Sequence, residues 1–226
     1  MRRIAALCRP DLVLVTLLVL VALALPASAG PWLRDPRVSF LSFQATPRSD
    51  GQVEYGFFGE RGMTPWLTLG LDLNDNGTSG HALAFARLPV SRNDWVASFD
   101  LALGGHRYKD DTGSMARVLF GIGRNIEVWD MPGWAALNVG PEWRQGNGGA
   151  AWKADGVIGF SADRAVNPIL SVETYLSPGK DLYWSVIPGA LVRGKTEGRT
   201  WLFGLEQKGG PSEMTTGLRI GYWIDF

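Results

Sequence analysis

The chain has 226 residues, enough for one domain or one closed barrel. Its 22 Lys and Arg balance 22 Asp and Glu, which excludes the strong field that would draw nucleic acid or an acidic partner. Charged residues make up 19% and mean hydropathy is near zero, too polar for a bundle of membrane helices built from apolar runs of about 20 residues each.

Residues 1–29 read as an export signal. Arg2, Arg3 and Arg9 carry positive charge, an apolar run covers residues 12–25, and Pro26, Ala27, Ser28 and Ala29 follow. Small residues at 27 and 29 are what a signal peptidase reads, which puts cleavage between Ala29 and Gly30. The run of about 14 residues is short for a spanning helix, so an uncleaved anchor is the weaker reading. Cys8, the single cysteine, precedes the apolar run. It is not placed for lipid attachment, and the remaining chain has neither disulfide nor thiolate chemistry.

From Gly30 onward no helical period holds. Apolar and polar residues alternate at period two in segments that recur roughly every 15 residues, with Gly, Asn, Asp and Pro between them. Twelve segments result: 38–44, 52–61, 65–74, 80–89, 94–106, 114–124, 133–144, 149–161, 167–177, 181–193, 199–208 and 214–226. In the third, Leu67, Leu69, Leu71 and Leu73 share one face and Thr68, Gly70, Asp72 and Asn74 the other. In the fifth, Ala97, Phe99, Leu101 and Leu103 oppose Ser98, Asp100, Ala102 and Gly104. The segment 80–89 is apolar on both faces and cannot be oriented. Pro141 and Pro188 fall inside segments, which requires a bulge at each.

The polar face carries Glu54, Asp72, Asp100, Arg117, Glu142, Lys153, Asp155, Glu173, Glu206 and Arg219. In a soluble sandwich that face meets water; in a membrane barrel it lines the lumen and the apolar face meets lipid. Alternation alone does not separate the two. Three features favour the barrel. The chain ends on an alternating strand whose last residue is Phe226. This resembles the C-terminal signature of bacterial outer-membrane barrels, which implies recognition by their assembly machinery. The 10 tryptophans concentrate at segment ends, with Trp66, Trp95, Trp134 and Trp201 at one rim and Trp143, Trp152 and Trp184 at the other, as aromatic girdles do. Trp66 and Trp134 sit on the polar parity, so the girdle expected from the pattern is Trp95, Trp152, Trp184, Trp201 and Tyr222. Third, the loops are short and polar, with no linker to a second domain.

Glu54, Tyr55 and Gly56 followed by Trp66, Leu67, Thr68, Leu69 and Gly70 resemble the first hairpin of small, transport-like outer-membrane barrels, over about a fifth of the chain. Phe57, Phe58, Gly59, Glu60 and Arg61 stand where that family's turn is more polar. The resemblance implies a barrel and carries over no catalytic residue.

The expectation is therefore an all-β, closed antiparallel up-and-down transmembrane barrel over residues 30–226. It has about twelve strands, ten being the smaller count, and sits in the outer membrane against lipid. It is a passive structural barrel or a narrow pore for small solutes. Roughly nine acids against six bases on the inward parity favour cations in such a lumen. Two rivals stand beside it. One is a soluble secreted β-sandwich that binds a ligand. The other is an outer-membrane lipid- or ester-hydrolase using His81 or His106 at the rim, with Ser79, Ser114, Asp110 or Asp111 near in sequence. No nucleophile elbow or zinc motif is present, and neither a metal nor a cofactor is expected. Asp72, Asn74, Asp75 and Asn76 resemble a calcium loop only superficially and make good turn chemistry instead.

Overall fold

The computed structural model describes residues 30–162, 164–211 and 214–226; the proposed leader lies outside them. Twelve strands follow in chain order. They are β1 (Ser39–Pro47), β2 (Val53–Thr64), β3 (Leu67–Asp75), β4 (Ser79–Arg92), β5 (Val96–Tyr108) and β6 (Asp111–Val128). The second half comprises β7 (Met131–Arg144), β8 (Ala150–Phe160), β9 (Val166–Leu176), β10 (Leu182–Arg193), β11 (Arg199–Gly209) and β12 (Met214–Asp225).

Each strand pairs antiparallel with its sequence neighbour, and β1 pairs with β12 to close the barrel. Closure leaves no unpaired edge, which is what a β-structure in lipid requires; the sandwich reading is excluded. The seam extends past the strands, where Ser39 and Phe226 exchange backbone hydrogen bonds of 2.7 and 3.0 Å. Both ends of the described barrel thus lie at one rim, here the terminal rim. The other is the loop rim, formed by the β1–β2, β3–β4, β5–β6, β7–β8, β9–β10 and β11–β12 connections.

The alternation sorts side chains as the barrel reading expects. Leu69, Leu71 and Leu73 of β3, Leu101 and Leu103 of β5, and Leu218 of β12 are exposed on the outer surface. Between them, Thr68, Ser98, Arg117, Glu142, Glu206 and Arg219 are buried inside. β4 can now be oriented: Leu83, Phe85 and Arg87 point inward and are buried, while Ala82, Ala84 and Leu88 point out. Both of its faces are apolar because the interior itself holds an apolar cluster of Leu83, Phe85, Ala102 and Met115, with Phe58 stacked on Phe85 at 5.3 Å.

The prolines depart from expectation. Pro141 stays in register with Trp152 and Pro188 with Leu170, and neither sits at a bulge. Each instead opens a short gap in the ladder on its other side, where pairing resumes in the same register: Arg117 with Glu142 and then Phe120 with Val139, Val186 with Gln207 and then Gly189 with Gly204. A proline lacks one donor, and only the neighbour on its N–H side loses a bond. The register shifts lie elsewhere, at Met63 between β2 and β3 and at Val90 after Pro89 between β4 and β5. Residues 57–61 are also not a turn; they run through the middle of β2, and the turn lies at Pro65 and Trp66. Trp66 is accordingly exposed at the terminal rim.

Residues 30–38 are not a free tail. Asp35, Pro36 and Arg37 are exposed at the terminal rim, and residues 30–34 pack inside the bore. Pro31 is fully buried, and Trp32 packs on an interior cluster of Phe40, Trp134, Ile169, Leu191, Leu202 and Trp223.

Candidate functional site

The interior is the candidate site, and it has two halves. Inward strand positions toward the loop rim carry charge because polar residues there face water and one another, whereas outward positions must stay apolar. Arg117 of β6 reaches across to Asp72 of β3 at 2.6 Å, and His81 Nε2 lies 3.4 Å from the other oxygen of the same carboxylate. Lys153 and Asp155 pair at 2.9 Å along β8. Arg219 of β12 bonds Glu173 of β9 at 2.7 Å and Glu206 of β11 at 3.4 Å. Glu206, buried at 1% exposure, also accepts the Ser185 hydroxyl at 2.5 Å. Glu142 of β7 accepts from Arg144 at 2.7 Å. Arg48, in the β1–β2 turn, donates to Glu54 at 2.5 Å and Glu206 at 2.8 Å. Burial opposes its charge, but the two carboxylates outweigh burial and hold its pKa above the ordinary value.

The second ion network stands toward the terminal rim. Arg87 of β4 grips Asp100 through Nε and Nη2 at 2.8 and 2.9 Å and gives Nη1 to Glu60 at 2.8 Å. Glu60 also accepts from Arg34 Nε at 2.6 Å, and Arg34 Nη1 reaches Asp225 at 3.3 Å. Of these carboxylates Glu60 is 2% exposed and Asp100 17%, while Asp225, at the terminal rim itself, keeps 28%; on the β8–β9 wall Lys153, Asp155 and Glu173 keep 25%, 26% and 38%. The inward side chains of the β8–β9 wall are therefore partly exposed within the bore.

All ten residues expected on the inward face point into the barrel, and each is in an ion pair. Reading parity alone missed several partners. Glu60 and Arg87 lie on the inward parity of β2 and β4, and extending the Glu54 alternation by three steps would have found Glu60. Arg34 and Arg48 lie outside the strands, where no parity exists to read. These two extra bases also bring the interior close to neutrality, which removes the acid excess on which cation preference rested.

Trp134 is not at a girdle. It is 2% exposed and fills the bore, its ring against the Gly159 backbone where a side chain would clash. Trp95, Trp152 and Trp201 are exposed on the outer surface, Trp201 against Tyr222 at 4.5 Å, and Trp184 lies over Gly209. Trp95 and Trp201 lie toward the terminal rim and Trp152 and Trp184 toward the loop rim.

His81 and His106 pair in register on β4 and β5 at the loop rim. Their rings do not converge on a serine: His81 faces Asp72, and His106 lies 3.1 Å from the Gln145 carbonyl. The Ser114 hydroxyl donates to the Gln145 side chain at 3.2 Å. A groove of about 490 Å³ that both histidine residues border is walled mainly by Tyr55, Phe57, Leu73 and Ala82 of the outward parity, so it belongs to the outer surface of the barrel. Asn74 and Asp75 end β3 and Asn76 and Gly77 lie in the turn that follows, in which Asp75 Oδ1 accepts from Gly77 N at 2.7 Å and Asn76 Oδ1 from Ser79 N at 2.7 Å. Among the described residues no group of three or more His, Cys, Asp or Glu is placed to hold a metal.

No protein-family model and no curated protein matches the sequence. Solved structures do match by shape. The KdgM porin in complex with disordered oligogalacturonate aligns with TM-score 0.61 at 10% identity, over 83% of this chain and 99% of that one. The KdgM porin alone gives 0.59 at 11% identity over 83% and 99%. A rhombohedral crystal form of the NanC porin gives 0.55 at 10% identity over 81% and 98%. At these identities the likeness is one of fold: the chain is a small porin-like β-barrel.

Proposed function

We propose that this porin-like barrel resides in a bacterial outer membrane and is a narrow pore for small polar solutes, entered from the loop rim. The observation that carries the reading is the half-open interior. Charged side chains line a partly exposed wall at Lys153, Asp155 and Glu173, while the outer surface presents a band of leucines between aromatic residues at both rims. Inward bases of that half, Arg48, Arg117, Arg144, Lys153, Lys208 and Arg219, each face a carboxylate. A paired lining offers little to a polyanion and favours small neutral or zwitterionic solutes, which exchange hydrogen bonds with both signs of charge. The oligogalacturonate of the KdgM complex is thus not carried over to this chain.

Planar-bilayer recordings under a salt gradient test the reading. Small unitary steps with weak ion preference are expected, since the fixed charges nearly cancel. Strong selectivity for either sign contradicts the paired lining, and complete silence from every form of the protein leaves only a structural barrel. The hydrolase alternative makes its own demand: ester- or lipid-hydrolysing activity of purified protein that disappears on His81→Asn or His106→Asn would replace the pore reading. Cell fractionation, with gel mobility compared before and after boiling, tests the outer-membrane location.

A further inference from the structure

The segment ahead of β1 lies where a solute path would run. From Asp35, whose carbonyl abuts Gly62 of β2, the chain passes inward along the bore. Arg34 N donates to Thr68 Oγ1 at 3.0 Å, and Arg87 Nη1 donates to the Trp32 carbonyl at 3.2 Å. Trp32 and Pro31 then reach β6. A Cβ built on Gly123 would lie 2.6 Å from the Trp32 ring, and one on Gly121 only 2.9 Å from the Pro31 Cβ. Those two β6 glycines are a seat: a bulky side chain at either would displace the segment, whereas a small one at Gly121 needs only a slight shift of Pro31 and of the Asn138 side chain, whose Oδ1 would lie 2.5 Å away. The remaining width is filled by the apolar cluster against which Trp32 packs, contributed by β1, β7, β9, β10, β11 and β12. Segment and cluster together pack the terminal half of the bore.

What holds the segment is as specific as its seat. The Arg34 guanidinium bonds Glu60 at 2.6 Å and Asp225 at 3.3 Å and lies over the Phe40 ring at 4.6 Å. Glu60 is shared with Arg87, so one buried carboxylate ties the segment to the wall network. A segment of ordinary leader-distal linker would need no such pairing, and a merely structural filler would be apolar throughout, because an apolar core is at least as stable as a buried ion pair of the same volume. Charge-assisted bonds to a short segment instead make a seat that holds firmly and still releases as a unit into water.

We propose that residues 30–35 are a plug in cis. It is seated on Gly121 and Gly123, latched by Arg34 to Glu60 and Asp225, and closes the terminal half of the lumen until displaced. The inference rests on the pore reading for its consequence but not for its geometry, and the two fail differently. Two altered chains test it beside the unaltered protein. Trp32→Ala with Arg34→Ala removes the wedge and the latch while keeping chain length. Pro31→Cys with Gly121→Cys places two thiols in a chain that has no cysteine beyond position 8. Their Cβ atoms lie slightly closer than the about 3.5–4.5 Å a disulfide takes, so a small outward shift of the segment permits the bond.

In planar bilayers the unlatched protein should show open probability raised by about tenfold or more over the unaltered protein, since a buried pair has lost one partner. The oxidised cysteine protein should be closed, and a reductant should return it to the unaltered behaviour. If the disulfide forms and the oxidised protein conducts like the reduced one, the plug inference is overturned and the pore reading stands. If the disulfide does not form in folded protein, identified by its gel mobility, the segment is not seated on β6 and the inference is again overturned. If all forms are silent although the disulfide forms, the pore reading falls, and the gate falls with it.

Discussion

Glu60 offers the sharpest test of how this barrel is held together. Its side chain is 2% exposed and accepts from Arg34 at 2.6 Å and from Arg87 at 2.8 Å. Removing one partner of a buried ion pair costs about 3–5 kcal/mol, because a charge remains without compensation. Here the loss is softened: after Glu60→Gln, Arg87 keeps both bonds to Asp100 and Arg34 keeps Asp225. The expected cost is therefore at the low end, about 3 kcal/mol. The barrel supplies its own control. Arg107 and Asp75 pair at 2.7 Å, a distance like those at Glu60, but their side chains are 38% and 52% exposed. Asp75→Asn keeps the turn acceptor and should cost about 0.5 kcal/mol or less, since exposed pairs are screened and entropically expensive. Urea titration of refolded protein, followed by tryptophan fluorescence and by gel mobility of unboiled samples, measures both. A Glu60→Gln cost no larger than that of Asp75→Asn would refute the claim that burial decides the strength of these pairs.

Three further outcomes are expected. Leu101→Arg puts a charge in the lipid-facing band and should cost about 2–4 kcal/mol if the position is near the midplane. Asp100→Arg is no longer the cheap inward control that parity suggests, because it would set a second guanidinium against Arg87. Ser171→Arg, inward and two residues from Glu173 on β9, should cost much less than Leu101→Arg, and equal unfolding costs for the two would contradict the face assignment. Deleting Phe226, whose backbone closes the seam against Ser39, should lower outer-membrane yield in cells while purified protein still refolds in detergent; normal yield would sink the assembly-signal role. N-terminal sequencing of membrane-isolated protein should begin at Gly30, and an intact Arg2–Arg3 end would show that residues 1–29 are not a cleaved leader.

Strand number and facing were legible in the chain because both follow from a local rule. Successive side chains of a strand point to opposite sides, so the alternation of Leu67 to Asn74 or of Leu218 to Phe226 already separates an outer face from an interior. Boundaries differ by a few residues, mostly where hairpins such as β5–β6 continue past the last alternating pair. Segment 80–89 resisted for a physical reason: the rule needs a polar interior, and Leu83 and Phe85 face an interior that is locally apolar. Trp134 carried its own warning, since it lies on the inward parity, yet a tryptophan near a turn looks the same from sequence whether it faces lipid or fills the bore.

What only the tertiary structure decided are the contacts that cross the lumen. Arg117 meets Asp72 from 45 positions away and Arg34 meets Asp225 from 191, separations fixed by closure and strand stagger that no local pattern encodes. The same holds for residues 30–35, which have no alternation and no turn signature of their own. Their place inside the barrel depends on a seat assembled from Gly121 and Gly123, a carboxylate from β2 and a wall of six strands, and that seat does not exist until the twelve strands have closed. Local periodicity determined the wall of this protein; what fills it was set by distance in space.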